Sequence, residues 1–533
     1  MAGISGNLHA QPVYEHVNNS GIVDFLDEMA NLGYIEINST VKPYTRWTIR
    51  TKLLELVTKD LPLSSRQKSM LYLYDAYYRQ SPADRKMALR LPQADLAYND
   101  PNFFLRLQPI IGGAFVFNLP EEGARPMQFN RFSGASMVAS YRNNWGFYAS
   151  LRDHYTSNLT VTPDYLVSSP GGQYKPGQGN EAEFSEMRGG MVWQNTHMTF
   201  ALVKDHFEWG NHYGGASIFA GREPSTVQFR FQMTPVKWFE FNYLHAWLNS
   251  AVIDSARSYT YTSAYGNGTR LVYRQKYLAA NMFTIKPWKR TTISFGNSII
   301  YADMGVHPAY LIPFSFFKSI DHTLNGTTND AGQNSQMFVD VSTRLIPHTH
   351  VFAVLFIDEL ATTVMFQPEK HSNCLSFKGG FRISDFPVPD LHFTGEYTRS
   401  NPLAYKHFVP TTTFESNRYN LGYYLTDNAE ETYLGIAWEP WGGLKVESSY
   451  RYARKGPDYN SLGGKRRGLP FMSEERWHRS DFGIEAGWQF AVNAYARLGY
   501  HFLRSGGPDA ERYLPEALRG RKHLLQCGVN LGL

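Results

Sequence analysis

The sequence predicts an all-β transmembrane barrel of about 18 antiparallel strands with a small N-terminal α-helical module. Three observations carry the prediction. Aromatic residues make up 15% of the 533 positions, yet mean hydropathy is only −0.38. No apolar run is long enough for a membrane helix, whereas strands with one lipid and one lumen face cancel in any hydropathy window. From Phe103 to the last residue, apolar and polar positions alternate with the period of a strand. Short connections also alternate strictly with long ones, which a soluble β-sandwich of similar composition has no reason to do.

Residues 1–10 lack a basic stretch followed by an apolar one, so they read as a signal-peptide remnant or a cloning scar. Residues 11–100 read as the helical module, expected on the periplasmic side. Ile22, Phe25, Leu26, Met29 and Ala30 share one helical face after a cap at Ser20, and Gly33 is placed to end the helix. Lys42 to Thr45 lead into a second helix with Trp47, Ile49, Leu53, Leu54 and Val57 on its apolar side. A third starts near Ser65 and is interrupted by Pro82. So few residues hold only a small core, and the module should lean on the larger body.

Residues 101–533 read as the outer-membrane barrel. Tight turns fall at Asn143-Asn144, Asn195-Thr196, Pro235, Pro287, Pro347, Pro387 to Pro389, Pro440 to Gly442 and Ala491. Nine longer connections separate them, and seventeen connections make eighteen strands, an even number as bacterial barrels require. Val227, Phe229, Phe231 and Met233 should face lipid against Gln228, Arg230 and Gln232. Met337, Val339, Val341 and Leu345 should do so against Gln336, Phe338, Asp340, Ser342 and Arg344. Val446, Ser448, Tyr450 and Tyr452 oppose Lys445, Glu447, Ser449 and Arg451, and Phe482, Ile484, Ala486, Trp488 and Phe490 oppose Asp481, Glu485 and Gln489. The final strand sets His523, Leu525, Cys527, Val529, Leu531 and Leu533 outward.

The stretch Arg274 to Leu360 holds two of these hairpins around a connection of more than thirty residues. Its order, YLAANMFTIKPWKRTTISFGNSIIYAD, then PAYLIPFSFFKSIDH, then MFVDVSTRLIP and LFIDEL, resembles the Wzi family of capsule-assembly outer-membrane proteins, particularly its Bacteroidota relatives. FLDEMANLGYIEINSTVKPYTRWTIRTKLLEL near the N-terminus is similar too. The resemblance implies an eighteen-stranded barrel, closed on the periplasmic side by helices, acting as a surface lectin that helps attach capsular polysaccharide. Envelope machines for gliding or secretion, and an outer-membrane porin, are the alternative roles.

Three groups of residues are candidate sites. Tyr310, Phe314, Phe316 and Phe317 are bulky for a loop and should fold into the lumen or onto its mouth as a constriction. Arg454, Lys455, Tyr459, Lys465, Arg466, Arg467, Trp477, Arg479, Arg512 and Tyr513 combine guanidinium or ammonium groups with rings in the long loops. Such a set suits acidic surface polysaccharide or lipopolysaccharide, with neighbouring lipid headgroups as the bland reading. Arg230, Asp340, Arg344, Lys445, Glu447, Arg451, Glu485 and Arg497 face the lumen, either as an ion-pair lattice or as a permeation filter. Trp209, Trp238, Trp247, Trp288, Trp438, Trp441 and Trp488 lie near strand ends, where an interfacial girdle would place them.

Catalytic motifs are lacking, so no enzyme and no cofactor is predicted. Two cysteines make neither a disulfide framework nor a metal site, and His206 with His212 or His348 with His350 are weak metal pairs. A net charge of +5 is too dilute for a nucleic-acid partner. The expected partners are surface polysaccharide and outer-membrane lipid.

Overall fold

Tight turns and long connections fall within a few residues of where the sequence places them, Pro235, Pro287, Pro440 and Ala491 ending strands just before their turns, and they join eighteen strands into one closed antiparallel barrel. The computed structural model describes residues 11–532 apart from 18, 80–86, 91–94, 120–126, 327–331 and 461–467. The barrel strands are β1 (Phe103–Asn118), β2 (Gln128–Tyr141), β3 (Trp145–Thr156), β4 (Ala182–Gln194), β5 (Met198–Asp205), β6 (Thr226–Val236), β7 (Phe239–Ile253), β8 (Tyr273–Trp288) and β9 (Thr291–Ala302). They continue as β10 (Asn334–Thr343), β11 (Thr349–Glu359), β12 (Cys374–Ser384), β13 (Leu391–Ser400), β14 (Ala429–Trp441), β15 (Leu444–Lys455), β16 (Trp477–Ala491), β17 (Ala494–Gly506) and β18 (Arg521–Leu531).

Closure is made by two partners in turn. β18 pairs with the later half of β1, from Leu524↔Asn118 to Leu531↔Ile111. The short-turn half of β1 would remain an open edge, and a row of unpaired amides and carbonyls is costly in hydrocarbon. The strand Asp95–Asn99 fills it, from Leu96↔Leu107 to Asn99↔Phe104, and is itself paired with Met87–Arg90.

The faces follow the alternation. Met337, Val339, Val341 and Leu345 are exposed on the outer wall, while Gln336, Phe338, Asp340, Ser342 and Arg344 are buried inside. Trp238, Trp288, Trp438, Trp441 and Trp488 form an exposed ring near the short turns. Trp209 does not belong to that ring: it is buried in the lumen, because the loop that carries it folds inward. Leu533 and Pro82 lie outside the described residues.

Three helices precede the barrel. α1 (Ser20–Asn31) has Asn19 rather than Ser20 at its N-cap, and Gly33 at φ +78 follows its end. The Thr45 hydroxyl caps α2 (Arg46–Val57), and a Ser64/Gln67 capping box opens α3 (Ser65–Tyr78). On α2 the buried line is Ile49, Leu53 and Leu56, so Val57, about 100° further round the helix, is exposed. The helices share a core of Phe25, Leu26, Met29, Ile49, Leu53, Met70 and Tyr74 that also takes in Val492, from the β16–β17 turn.

Candidate functional site

Charged groups at the short-turn end of the barrel bind the helices to the wall. Arg344 donates to Asn31 Oδ1 at 2.7 Å and Ser39 Oγ at 2.9 Å, and pairs with Asp27. Burial alone would raise the Asp27 carboxyl, but Arg344, then His350 and Arg382, with a hydrogen bond from Tyr213, hold it well below its ordinary value. Arg66 meets Glu28 at 2.8 Å, Asp390 Oδ1 at 3.0 Å and Glu439 at 2.9 Å. Burial, with Glu439 adding to it, outweighs Arg66 and raises the Glu28 carboxyl above its ordinary value. Glu28, His392 and Glu439 come close enough to share a cation, but Arg66 already bonds both carboxylates.

The lumen charges divide between docking contacts to the module, made by Arg344 and Lys445, and pairs within the wall. Lys445 lies 3.5 Å from Asp24 and 2.9 Å from Glu447. Arg451 pairs with Glu431, and Glu485 lies 3.0 Å from His501. Arg497 lies over the Tyr495 ring. Like Arg497, two further members meet neutral partners instead of a counter-charge. Arg230 donates to Gln228 Oε1 and the His206 carbonyl and covers the Tyr14 ring, while Asp340 accepts two hydrogen bonds from Asn211, at 2.7 and 2.6 Å. Asn211 sits on an inward-folded loop that pairing within a strand could not anticipate.

Higher in the lumen, four long loops fold inward and bury an apolar cluster. Leu166, Phe207, Phe219, Phe414, Leu425 and Leu514 come from those loops and pack against Leu244, Leu278, Ile300, Phe338 and Phe356 of the wall. Phe219 lies within 5.1 to 5.6 Å of Phe207, Trp209 and Phe414. The module reaches this plug as well, since Val41 and Lys42 pair with Trp209 and Glu208. Between module and wall remains a polar cavity of about 280 Å³ lined by residues including Asp24, Asp27, His212, Tyr213, Arg382 and Lys445.

The opposite wall is less covered. Inward residues Phe132, His154, Glu485, His501 and Gln526 are half-buried. His154 stacks on Phe184 at 4.3 Å and 5°, flanked by Phe132 at 5.6 Å and Tyr174 at 4.9 Å. Sequence reading missed this ladder, although Phe132, His154 and Phe184 all sit on lumen parity.

The structure divides the expected glycan-binding set. Lys455 and Trp477 are fully buried and Tyr513 nearly so. Lys455 pairs with Asp427 and Asp458, and the Tyr513 hydroxyl donates to Asp458 at 2.8 Å, so these groups are spent on holding loops. Burial raises the Asp458 carboxyl, but Lys455 and Lys406 hold it well below its ordinary value. Arg479 pairs with Asp481 and Arg454 with Glu430. Tyr459 bonds the Pro470 carbonyl and Ser473. Arg512 pairs with Asp458 yet stays exposed. Lys465, Arg466 and Arg467 lie outside the described residues. The exposed aromatics are elsewhere: Tyr259, Tyr261 and Tyr265 on a two-stranded hairpin in the β7–β8 loop, and Phe366. The alternation YTYTSAYGNGTR was the available signal, since a short hairpin whose rings have nothing to cover must expose them.

The proposed constriction is overturned. Tyr310, Phe314 and Phe317 lie outside the barrel, because the residues they meet, Tyr301, Phe241 and Asn297, have outward parity, and Phe316 between them is exposed. The histidine pairs also separate: His206 meets Glu186 and His212 meets Glu208, while His348 meets the Ser384 carbonyl and His350 meets Ser342 and Tyr213.

An eighteen-stranded antiparallel barrel, plugged by its own helices and loops, is the class these observations define. The chain is similar over 98% of its length to Wzi, a carbohydrate-binding β-barrel of the outer membrane involved in group 1 capsule assembly in Escherichia coli, with all of that chain covered, 11% identity and a TM-score of 0.59. OccD3 of Pseudomonas aeruginosa matches 80% of the chain and 90% of its own at 10% identity and a TM-score of 0.44, and OccAB3 of Acinetobacter baumannii 80% and 98% at 8% and 0.44. No protein-family model and no curated protein matches the chain.

Proposed function

We propose that the protein is an outer-membrane barrel that holds surface polysaccharide non-covalently at its long-loop end and assists capsule assembly, with the helices on the periplasmic side. The observation that carries this is the apolar plug: wall residues such as Leu278, Ile300 and Phe356 are buried under loop side chains and present no wetted channel face. Exposed Arg512 and the tyrosines of the β7–β8 hairpin supply the two groups that glycans use, a guanidinium for anionic sugars and rings for their apolar faces. The likeness to Wzi supports the same reading. Solute passage, the porin role, is favoured by one observation, the half-buried polar inner wall around Glu485 and His501.

The test uses the full chain in lipid. Tyr261→Ala and Arg512→Ala should each weaken retention of acidic capsular polysaccharide on immobilised protein about tenfold, the effect of losing about 1.4 kcal/mol. Planar bilayers should show no steady conductance. Large steady channels with no polysaccharide retention overturn the proposal in favour of the porin.

A further inference from the structure

Positions 306–325 connect β9 to β10 and take an unusual path. Tyr243 on β7, Tyr277 and Asn281 on β8, and Asn297 and Tyr301 on β9 are in register with one another and opposite in parity to Leu244, Leu278 and Ile300, which face the lumen plug. They therefore point outward. On that outer face the Tyr310 ring lies 4.5 Å from Tyr301, and Phe314 stacks at 4.4 Å on Phe241, two residues from the short-turn start of β7. Asn297 lies five residues below the end of β9, about 17 Å along the strand. The segment descends the outside of the wall and returns through α4 (Phe317–Asn325).

Its irregular backbone is satisfied by wall side chains. Asn281 Nδ2 donates to the carbonyls of Pro313 at 2.9 Å and Ser315 at 2.8 Å, and the Phe317 amide donates to Asn297 Oδ1 at 2.9 Å. The Tyr243 hydroxyl donates to the Tyr310 carbonyl at 2.8 Å, and Asn297 Nδ2 donates to Asn281 Oδ1 at 2.7 Å. Water would serve these groups at no structural cost. Hydrocarbon would not, and irregular backbone persists at membrane depth only where protein pairs it. The far side of the descending limb is apolar, with Leu311, Ile312, Phe314 and Phe316 exposed, continuing the belt of exposed Phe295, Met337 and Val339.

We propose that residues 306–325 form a re-entrant strap whose descending limb, to Phe316, lies in the bilayer and presents its outward side chains as a contact surface for lipid acyl chains. The proposal rests on the outer-membrane reading. On α4 the exposed side chains are mostly polar, Lys318, Ser319, His322 and Thr323, in keeping with a helix that rises from the apolar belt toward the end of β9 and the headgroups. Over much of β7, β8 and β9 the lipid thus meets an apolar ridge fixed to the wall by Asn281, Asn297 and Tyr243.

The test is site-directed spin labelling of the full chain in liposomes, with Cys527→Ser to leave buried Cys374 unreactive. Labels at Ile312 and Phe316 should match a belt label at Val339: high collision with dissolved oxygen and collision with an aqueous nickel chelate at least tenfold below a label at Tyr265, the hairpin tip. Asn281→Ala with Asn297→Ala should raise chelate access at Ile312 severalfold and leave Val339 unchanged, with barrel folding checked by heat-modifiable gel mobility. Chelate access at Ile312 and Phe316 equal to that at Tyr265 overturns the strap while the membrane reading stands. Shielding from both reagents also overturns it, because a protein would then cover the segment. Chelate access at Val339 brings down both readings.

Discussion

Replacing Arg344 by methionine isolates the docking of the helices onto the barrel. Arg344 is buried in the β10–β11 turn and makes contacts to Asp27, Asn31 and Ser39, all from the module. Methionine keeps much of the volume but leaves Asp27 buried with the Tyr213 hydroxyl and without its nearest cation. Removing one partner of a buried pair costs about 3–5 kcal/mol, against about 0–1 for a surface pair such as Lys59–Glu55. About 4 kcal/mol corresponds to a several-hundredfold rise in the undocked population. Amide exchange in α1 reads that population directly: the buried turns around Leu26 and Met29 should exchange a few hundredfold faster, while the centres of β10 and β11 keep their protection. Adding Asp27→Asn should recover most of the loss, because it removes the stranded charge rather than a second favourable contact. Exchange in α1 within about threefold of the parent would refute this view of Arg344 as the anchor, and so would a double variant worse than Arg344→Met.

Further expectations follow from the same geometry. Glu28 and its neighbour Glu439 are both raised above their unfolded values, so the folded state holds their proton more tightly; this stabilising contribution is present at low pH and is lost as pH rises through the raised folded values. Protease resistance of the module should fall between pH 5.5 and pH 8, Glu28→Gln should flatten the change, and resistance that climbs with pH would contradict it. Asp27 behaves oppositely, since its depressed value makes its contribution vanish only in strong acid. Phe219→Ala removes the ring at the centre of the plug, at a cost of about 3–5 kcal/mol; calorimetry should show an earlier loop transition with the barrel transition unmoved. Lys455→Met should destabilise the contacts of Asp427 and Asp458 by about 1–3 kcal/mol, less than for a stranded pair because Lys406 still meets both carboxylates, whereas Arg512→Ala should shift stability by under about 1 kcal/mol.

Barrel, strand number and the faces of most strands were legible because each rests on local rules: period two, proline and asparagine at turns, and one apolar face per strand. The sites were less legible because loops decide them. Guanidinium and aromatic residues near one another in sequence read as a binding set, yet Lys455, Trp477 and Tyr513 are drawn inward by Asp427, Asp458 and the apolar plug. Lumen charges were located by parity alone; Glu431 and His501 in the wall pair with Arg451 and Glu485, but Asp24, Asp27 and Asn211 come from the helices and an inward loop, beyond what a strand pattern encodes. The strap had a signal. Asn281 and Asn297 are polar on a face that lipid should own, on adjacent strands, directly before a loop rich in Phe and Tyr.

That signal generalises within this molecule. In YLAANMF of β8, alternation fails, with Tyr277, Ala279, Asn281 and Phe283 outward and Leu278, Ala280 and Met282 inward, so neither face is polar throughout. A strand wetted on its lumen side would gain by placing charge there, as β15 does with Lys445, Glu447 and Arg451. β8 does the reverse because the plug covers its inner face and the strap much of its outer one. Uncovering even two inward side chains such as Leu278 and Ile300 to water would cost about 3–6 kcal/mol. The plug is therefore held by the wall itself over β7 to β11, and any route for a solute would have to follow the other side, past Phe132, His154, Glu485 and His501.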